Sequence, residues 1–123
     1  MVSDPRHLLG HRAEEATADW LTTVGWTVLA RRWRCPEGEL DLVCRDPDGV
    51  LVAVEVKLRS GSRAGHALAS VDPRRVRRLR AALRSFAAGG HLRTPIGLRI
   101  DLVAVTPSEG RWRLARYASI DAW

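Results

Sequence analysis

The sequence predicts a single α/β domain: a mixed β-sheet flanked by helices, in the order α-β-β-β-α-β-β. Three observations carry this reading. The 123 residues suit one domain with its own core. Two stretches, 11–24 and 73–88, repeat apolar residues at helical spacing and stop at glycine. Five shorter stretches, 26–33, 39–45, 50–59, 98–106 and 111–117, are apolar-rich and read as strands. The domain spans 1–123, with its core over about 10–106 and 107–123 as a terminal edge strand and tail.

Asp4 and Pro5 form a helix-start signal, Asp as N-cap and Pro at the first helical position, although Gly10 can delay the continuous helix to His11. Ala13, Thr17, Trp20, Leu21 and Val24 then share one face, and Gly25 ends the run. Glu14 lies on the rim of that apolar stripe, whereas Glu15 points away from it. After strand 26–33, the segment Cys35-Pro36-Glu37-Gly38 reads as a turn.

The next two strands are joined by Asp46-Pro47-Asp48-Gly49, and the loop length fixes which side chains meet. A two-residue loop would set Asp41 opposite Val54 and Glu55 opposite Leu40, mixing charge and apolar groups on both faces. A three-residue loop closed by Gly49 in a left-handed bulge pairs Asp46 with Val50. Leu40, Leu42 and Cys44 then meet Val56, Val54 and Val52, while Glu39, Asp41 and Val43 meet Lys57, Glu55 and Ala53. Burial specifies register, so the second arrangement is expected.

Residues 60–71 are rich in Gly and Ser and read as a loop. Asp72-Pro73 repeats the helix-start signal, Val76, Leu79, Leu83 and Phe86 form a buried stripe, and Gly89-Gly90 closes the helix. A central strand at 98–106 and an edge strand at 111–117 complete the sheet.

Charge is the unusual feature of the composition. Twenty basic residues against 14 acidic ones give +6, which favours a polyanionic partner such as nucleic acid or an anionic membrane. Eight arginines and no acid fall within 73–100, and Arg74, Arg75, Arg77, Arg78 and Arg84 on the second helix are candidate nucleic-acid contacts. No apolar run approaches the ~18 residues of a membrane span or the ~7–15 of a signal-peptide core, so a cytoplasmic protein without a membrane partner is expected. Cys35 and Cys44 suggest neither a zinc site nor a disulfide framework, and the histidines at 7, 11, 66 and 91 are scattered.

In the preferred register Asp41 lies across from Glu55 with Cβ atoms about 4.5–5.5 Å apart, a repulsive arrangement unless a cation joins it. Magnesium accepts one or two carboxylates and leaves its other positions to water and phosphate. Lys57 lies two residues beyond Glu55 on the same strand face. Such a group suits phosphodiester hydrolysis. The plainer reading is a surface charge ladder. The lysine count argues against it, because the other 19 basic residues are arginine and random placement would put the lone lysine here about one time in twenty.

Asp41 and Glu55-Val56-Lys57 match the PD-(D/E)xK nuclease pattern. With Glu14, Gly38-Glu39-Leu40-Asp41-Leu42-Val43, Val54 to Arg59, Gly65, Val71 and Arg99 to Val105, the chain resembles the YraN-like predicted endonucleases over residues 10–105. That bacterial family is itself similar to archaeal Holliday junction resolvases. The resemblance implies a restriction-endonuclease-like fold and a Mg²⁺- or Mn²⁺-dependent endonuclease acting on DNA, branched or structured forms included. It implies that Asp41, Glu55 and the Val56 carbonyl ligate the metal, that Lys57 orients water or stabilises the transition state, and that Glu14 completes the metal environment. Ala13 and Arg75 depart from the family's usual Gly and Lys. Cutting a symmetric junction would call for a homodimer, with Trp112 to Trp123 a candidate face.

Other polar residues have plainer roles. Arg99 and Asp101 alternate on one strand face and suit an internal ion pair, and Glu39 suits a pair with Lys57. Trp20 suits the core, whereas Trp33, Trp112 and Trp123 either stack on bases or cover the sheet. The alternative to a nuclease is a catalytically inactive nucleic-acid-binding module of the same fold.

Overall fold

A computed structural model describes residues 5–59, 71–89 and 95–121. The predicted N-cap at Asp4, most of the 60–71 loop including Gly65, and His66, Gly90, His91, Arg93 and Trp123 lie outside the described residues. The elements are α1 (Pro5–Thr23), β1 (Thr27–Cys35), β2 (Gly38–Arg45), β3 (Leu51–Leu58), α2 (Pro73–Ala88), β4 (Leu98–Ser108) and β5 (Arg111–Tyr117). They form one five-stranded sheet in the order β1-β2-β3-β4-β5. β1, β2 and β3 are antiparallel neighbours, β3 and β4 run parallel through the α2 crossover, and β5 returns antiparallel. The predicted α/β order is therefore the observed one.

Gly10 does not delay α1, which runs unbroken from Pro5. Its C-terminus is a Schellman motif: Trp26 N–H donates to Leu21 C=O at 2.9 Å and Gly25 N–H to Thr22 C=O at 3.2 Å. Gly25 has φ +95°, a left-handed backbone that costs glycine little. The stripe holds at Ala13, Thr17 and Leu21, all fully buried, with Ala18 beside them. Val24 instead lies beyond the helix and is half exposed, and Trp20 only rims the core.

α2 buries Val76, Leu79, Leu83 and Phe86 as predicted, together with Ala82. Burial contributes about 1.5–3 kcal/mol for each large side chain, so this stripe anchors α2 despite its arginines. Asp72 Oδ1 accepts from the Arg74 N–H at 2.9 Å and caps the start. At the other end Gly89 is right-handed, φ −69°, so the stop uses no left-handed turn.

Both sheet faces are packed. α2 covers Val43, Leu51, Ala53, Ile100, Leu102 and Ala104, and α1 covers Leu42, Cys44, Val52, Val54, Val103 and Val105. The hairpin has the expected register, Leu42 against Val54 and Cys44 against Val52, with Gly49 at φ +94°. Asp46 N–H donates to Val50 C=O at 3.0 Å, and Asp46 Oδ1 accepts from the Asp48 and Val50 amides. Among the described residues, no helix is long and apolar enough to cross a membrane.

Of the aromatic residues offered for bases or for a dimer face, those described are half-buried against the sheet. Trp33 meets Phe86 edge-on, centroids 5.2 Å apart, while Trp112 and Tyr117 are half-buried against opposite cores.

Candidate functional site

The site begins where the β2–β3 ladder stops. Hydrogen-bonded pairs alternate along an antiparallel ladder, so the Asp46 and Val50 pair implies 44 with 52, 42 with 54, and 40 with 56. The recorded ladder instead ends at Leu42 and Val54. The Val56 N–H donates to Asp41 Oδ2 at 2.9 Å. Leu40 is consequently displaced from its expected place beside Val56 and packs with Trp33 in the α2-side core, opposite Leu42 and Cys44. The expected pairing of Leu40 with Val56 fails because a carboxylate takes the amide that the ladder would have used.

A second irregularity faces the first. In β1, Arg31 pairs with Leu42 and Trp33 with Leu40, leaving Arg32 opposite Asp41 but outside the recorded ladder. Arg32 has φ +47°, a left-handed conformation that costs a residue with a side chain of order 1–3 kcal/mol and collects at functional sites. Its guanidinium donates to Glu14 Oε1 at 2.9 Å. Arg31 beside it bonds Glu15.

Glu55 is the most enclosed member, its side chain only 2% exposed. Oε2 accepts from Arg75 Nε of α2. Oε1 is buried with no donor among the described residues, and the group across from it is another carboxyl, Asp41. Two such groups can share only a proton or a cation. Burial, then Glu55, push the Asp41 carboxyl up to about 8, although the Val56 amide opposes the shift and Glu14 adds to it. Burial also acts to raise Glu55, but the hydrogen bond from protonated Asp41, the Arg75 guanidinium and the Lys57 charge hold it below the ordinary carboxylate range. Lys57 is half-buried and makes no ion pair among the described residues.

The predicted site residues thus converge from four elements. Asp41 comes from β2, Glu55 and Lys57 from β3, Arg75 from the first turn of α2, and Glu14 from α1 is close enough to act on Asp41. No three His, Cys, Asp or Glu side chains form a metal cluster among the described residues. The donor set nevertheless fits a hard divalent cation that keeps much of its water. It comprises two facing carboxyls, one with a buried oxygen that lacks any donor but its neighbour.

Comparison with known sequences identifies the family. A family model described as "Uncharacterised protein family UPF0102" matches residues 13–105, a span containing Glu14, Asp41, Glu55 and Lys57. The chain belongs to UPF0102. A UPF0102 protein of Ralstonia nicotianae is 42% identical over 106 residues, covering 84% of this chain and 81% of that one. UPF0102 proteins of Methylococcus capsulatus and Kineococcus radiotolerans are 44% and 43% identical, covering 83% and 82% of this chain and 80% and 82% of theirs.

In this UPF0102 protein the arginine stretch divides by role. Arg75 is tied to Glu55, Arg80 to Asp121, and Arg99 to both Asp46 and Asp101, so these do not belong to a free basic face. Arg74, Arg77, Arg78 and Arg84 remain exposed on α2, without ion pairs among the described residues. Arg75 therefore joins the carboxyl pair rather than the outward helix surface. The expected internal pair of Arg99 and Asp101 is present at 2.8 Å. The expected Glu39 partner is corrected, because Glu39 meets Arg34 at 3.4 Å.

Sequence reading missed Arg32 altogether. It is one of three arginines in β1, and nothing in their spacing distinguishes the one with the left-handed backbone. Both cysteines are free thiols, and burial pushes Cys44 up to about 12, leaving it protonated and inert.

Proposed function

We propose that this UPF0102 protein is a metal-dependent endonuclease of the PD-(D/E)xK class, hydrolysing DNA phosphodiester bonds, with branched or structured DNA among its substrates. One observation carries the reading. Buried Glu55 faces half-buried Asp41 where two strands part, Glu55 Oε1 finds no donor among the described residues other than a protonated Asp41, and the sole lysine stands two residues from Glu55.

Asp41, Glu55 and the Val56 carbonyl would hold Mg²⁺ or Mn²⁺. When bound, the ion supplies Lewis-acid stabilisation of charge on the phosphoryl oxygens. Arg75 keeps Glu55 Oε2 engaged and leaves Oε1 without an arginine partner. In hydrolysis the water oxygen forms a bond to phosphorus as the bond to the leaving sugar oxygen breaks, and that oxygen takes up a proton. Lys57 places its ammonium beside the developing negative charge. Arg74, Arg77, Arg78 and Arg84 grip the phosphate backbone outside the site.

A specific observation favours the second reading, an inactive nucleic-acid-binding module. Glu55 and Glu14 each already have an arginine partner. Incubation with single-stranded, duplex and four-way-junction DNA, with Mg²⁺, Mn²⁺ or EDTA, separates the two. Metal-dependent cleavage is expected, lost in Lys57→Ala with binding retained; unchanged turnover in that variant sinks the mechanism. Salt-sensitive binding without cleavage under any condition selects the binding module.

A further inference from the structure

The proposed site accounts for the unpartnered oxygen of Glu55 but leaves another buried polar atom unexplained, the Thr106 hydroxyl. Thr106 is 6% exposed, and its Oγ1 has no hydrogen-bond partner among the described residues. Leaving a buried hydroxyl unpaired costs about 1–3 kcal/mol, which a ligand that accepts from it would recover.

Strand register places this hydroxyl in a row with the site. Lys57 pairs with Ala104 in the β3 and β4 ladder, and Thr106 pairs with Arg113 in the β4 and β5 ladder. Val56, Leu58, Val105, Trp112 and Leu114 pack on the α1 side. Alternation therefore places Lys57, Arg59, Thr106 and Arg113 on the opposite face, the face that carries Glu55. The Arg59 N–H donates to Val105 C=O at 2.8 Å, which keeps residue 59 level with Thr106. Neighbouring strands lie about 4.8 Å apart, so the row from β3 to β5 spans roughly 10 Å.

At the β5 end the row opens on a groove of about 620 Å³ lined by Ser108, Glu109, Arg111, Trp112 and Arg113. Arg111 and Arg113 are exposed and have no ion pair among the described residues. Glu109, in the turn, is the one acid among the described residues that line the groove. Beyond the carboxyl pair, the chemistry of the row is a hydroxyl flanked by cations. That combination takes successive phosphates of a nucleic-acid backbone, since guanidinium forks and hydroxyls both donate to phosphate oxygens.

We infer that Thr106 and Arg113, with Arg111 at the turn, form a phosphate track that carries the nucleic-acid strand from the carboxyl site across β4 to the β5 edge. The track rests on the nuclease reading for the strand it serves, but it is tested by binding alone. Labelled single-stranded, duplex and junction DNA are titrated in EDTA against wild type, Arg111→Glu with Arg113→Glu, Thr106→Val, and Arg77→Glu with Arg78→Glu. Reversing the two hairpin arginines is expected to weaken binding about tenfold or more, and Arg113→Gln to lower the slope of log affinity against log salt by about one. Thr106→Val, similar in shape, is expected to weaken binding about threefold with an unchanged circular dichroism spectrum, one lost hydrogen bond being worth about 0.5–1.5 kcal/mol. Should Thr106→Val fail to fold, the exposed arginine pair decides alone. Full affinity in the hairpin variants together with loss in the α2 variant overturns the track and leaves the nuclease reading standing. Failure of wild type to bind any DNA form overturns both.

Discussion

Asp41 is held between two demands, an amide that wants a carboxylate and a buried neighbour that does not. Its proton keeps the metal-free pair together. Because its folded pKa, about 8, lies above its unfolded value, this proton contributes stability that is fully present below the unfolded pKa and is lost as pH rises through 8. The melting temperature in EDTA should therefore fall between pH 7 and 9, with about 1 kcal/mol lost by pH 9. Asp41→Asn should flatten that fall, and Mg²⁺ added at pH 9 should raise the melting temperature of wild type but not of the variant. A flat wild-type profile would show that the two carboxyls do not share a proton. At this scale the sequence disclosed the acids and the lysine, because their types and spacing imply chemistry. It did not disclose Arg32 or the pairing of Arg75, because an arginine's partner is set by what folds against it.

The β2–β3 hairpin shows how far an element can be read before it is seen. Its register follows from matching apolar positions across a turn that needs a left-handed residue, and Gly49 supplies it. A Cβ at Gly49 would stand 3.0 Å from Ile96 Cδ1 on a φ of +94°. Gly49→Ala should accordingly cost about 1–2 kcal/mol in urea unfolding, the left-handed penalty plus a displaced Ile96 side chain. An equally stable variant would mean the turn relaxes without strain. The other end of the hairpin was not legible. A pairing rule extends a ladder indefinitely, and only the Asp41 carboxylate, by taking the Val56 amide, ends it.

Across the whole molecule, charge is used mostly inside. Asp101 is fully buried and accepts from Arg99, Arg116 and the Ser119 amide, while Arg99 also reaches Asp46, and both guanidinium groups lie over the Trp26 ring. This network ties the β2–β3 turn, β4, β5 and the tail together at the sheet end away from Lys57. Asp101→Ala should cost about 3–5 kcal/mol, because it leaves two arginines facing a buried gap. Urea unfolding measures it, and a cost below about 1 kcal/mol would show the network to be solvated. Asp121 works in the same way, accepting from the Ile100 amide and Arg80, so the tail closes over the α2-side core.

By itself the sequence determined the element order, the hairpin register and the meeting of Asp41 with Glu55. Each follows from local rules, helical period, strand alternation and turn chemistry, that act between residues close in the chain. Only the tertiary structure decided which arginines remain outside. Arg75 and Arg80 find their acids 20 and 41 residues away, in Glu55 and Asp121, and Arg99, whose pair with Asp101 the sequence disclosed, adds Asp46 from 53 residues away. Composition could count such charges but not pair them. Burial makes pairing compulsory for those the fold encloses, and leaves Arg74, Arg77, Arg78 and Arg84 facing solvent.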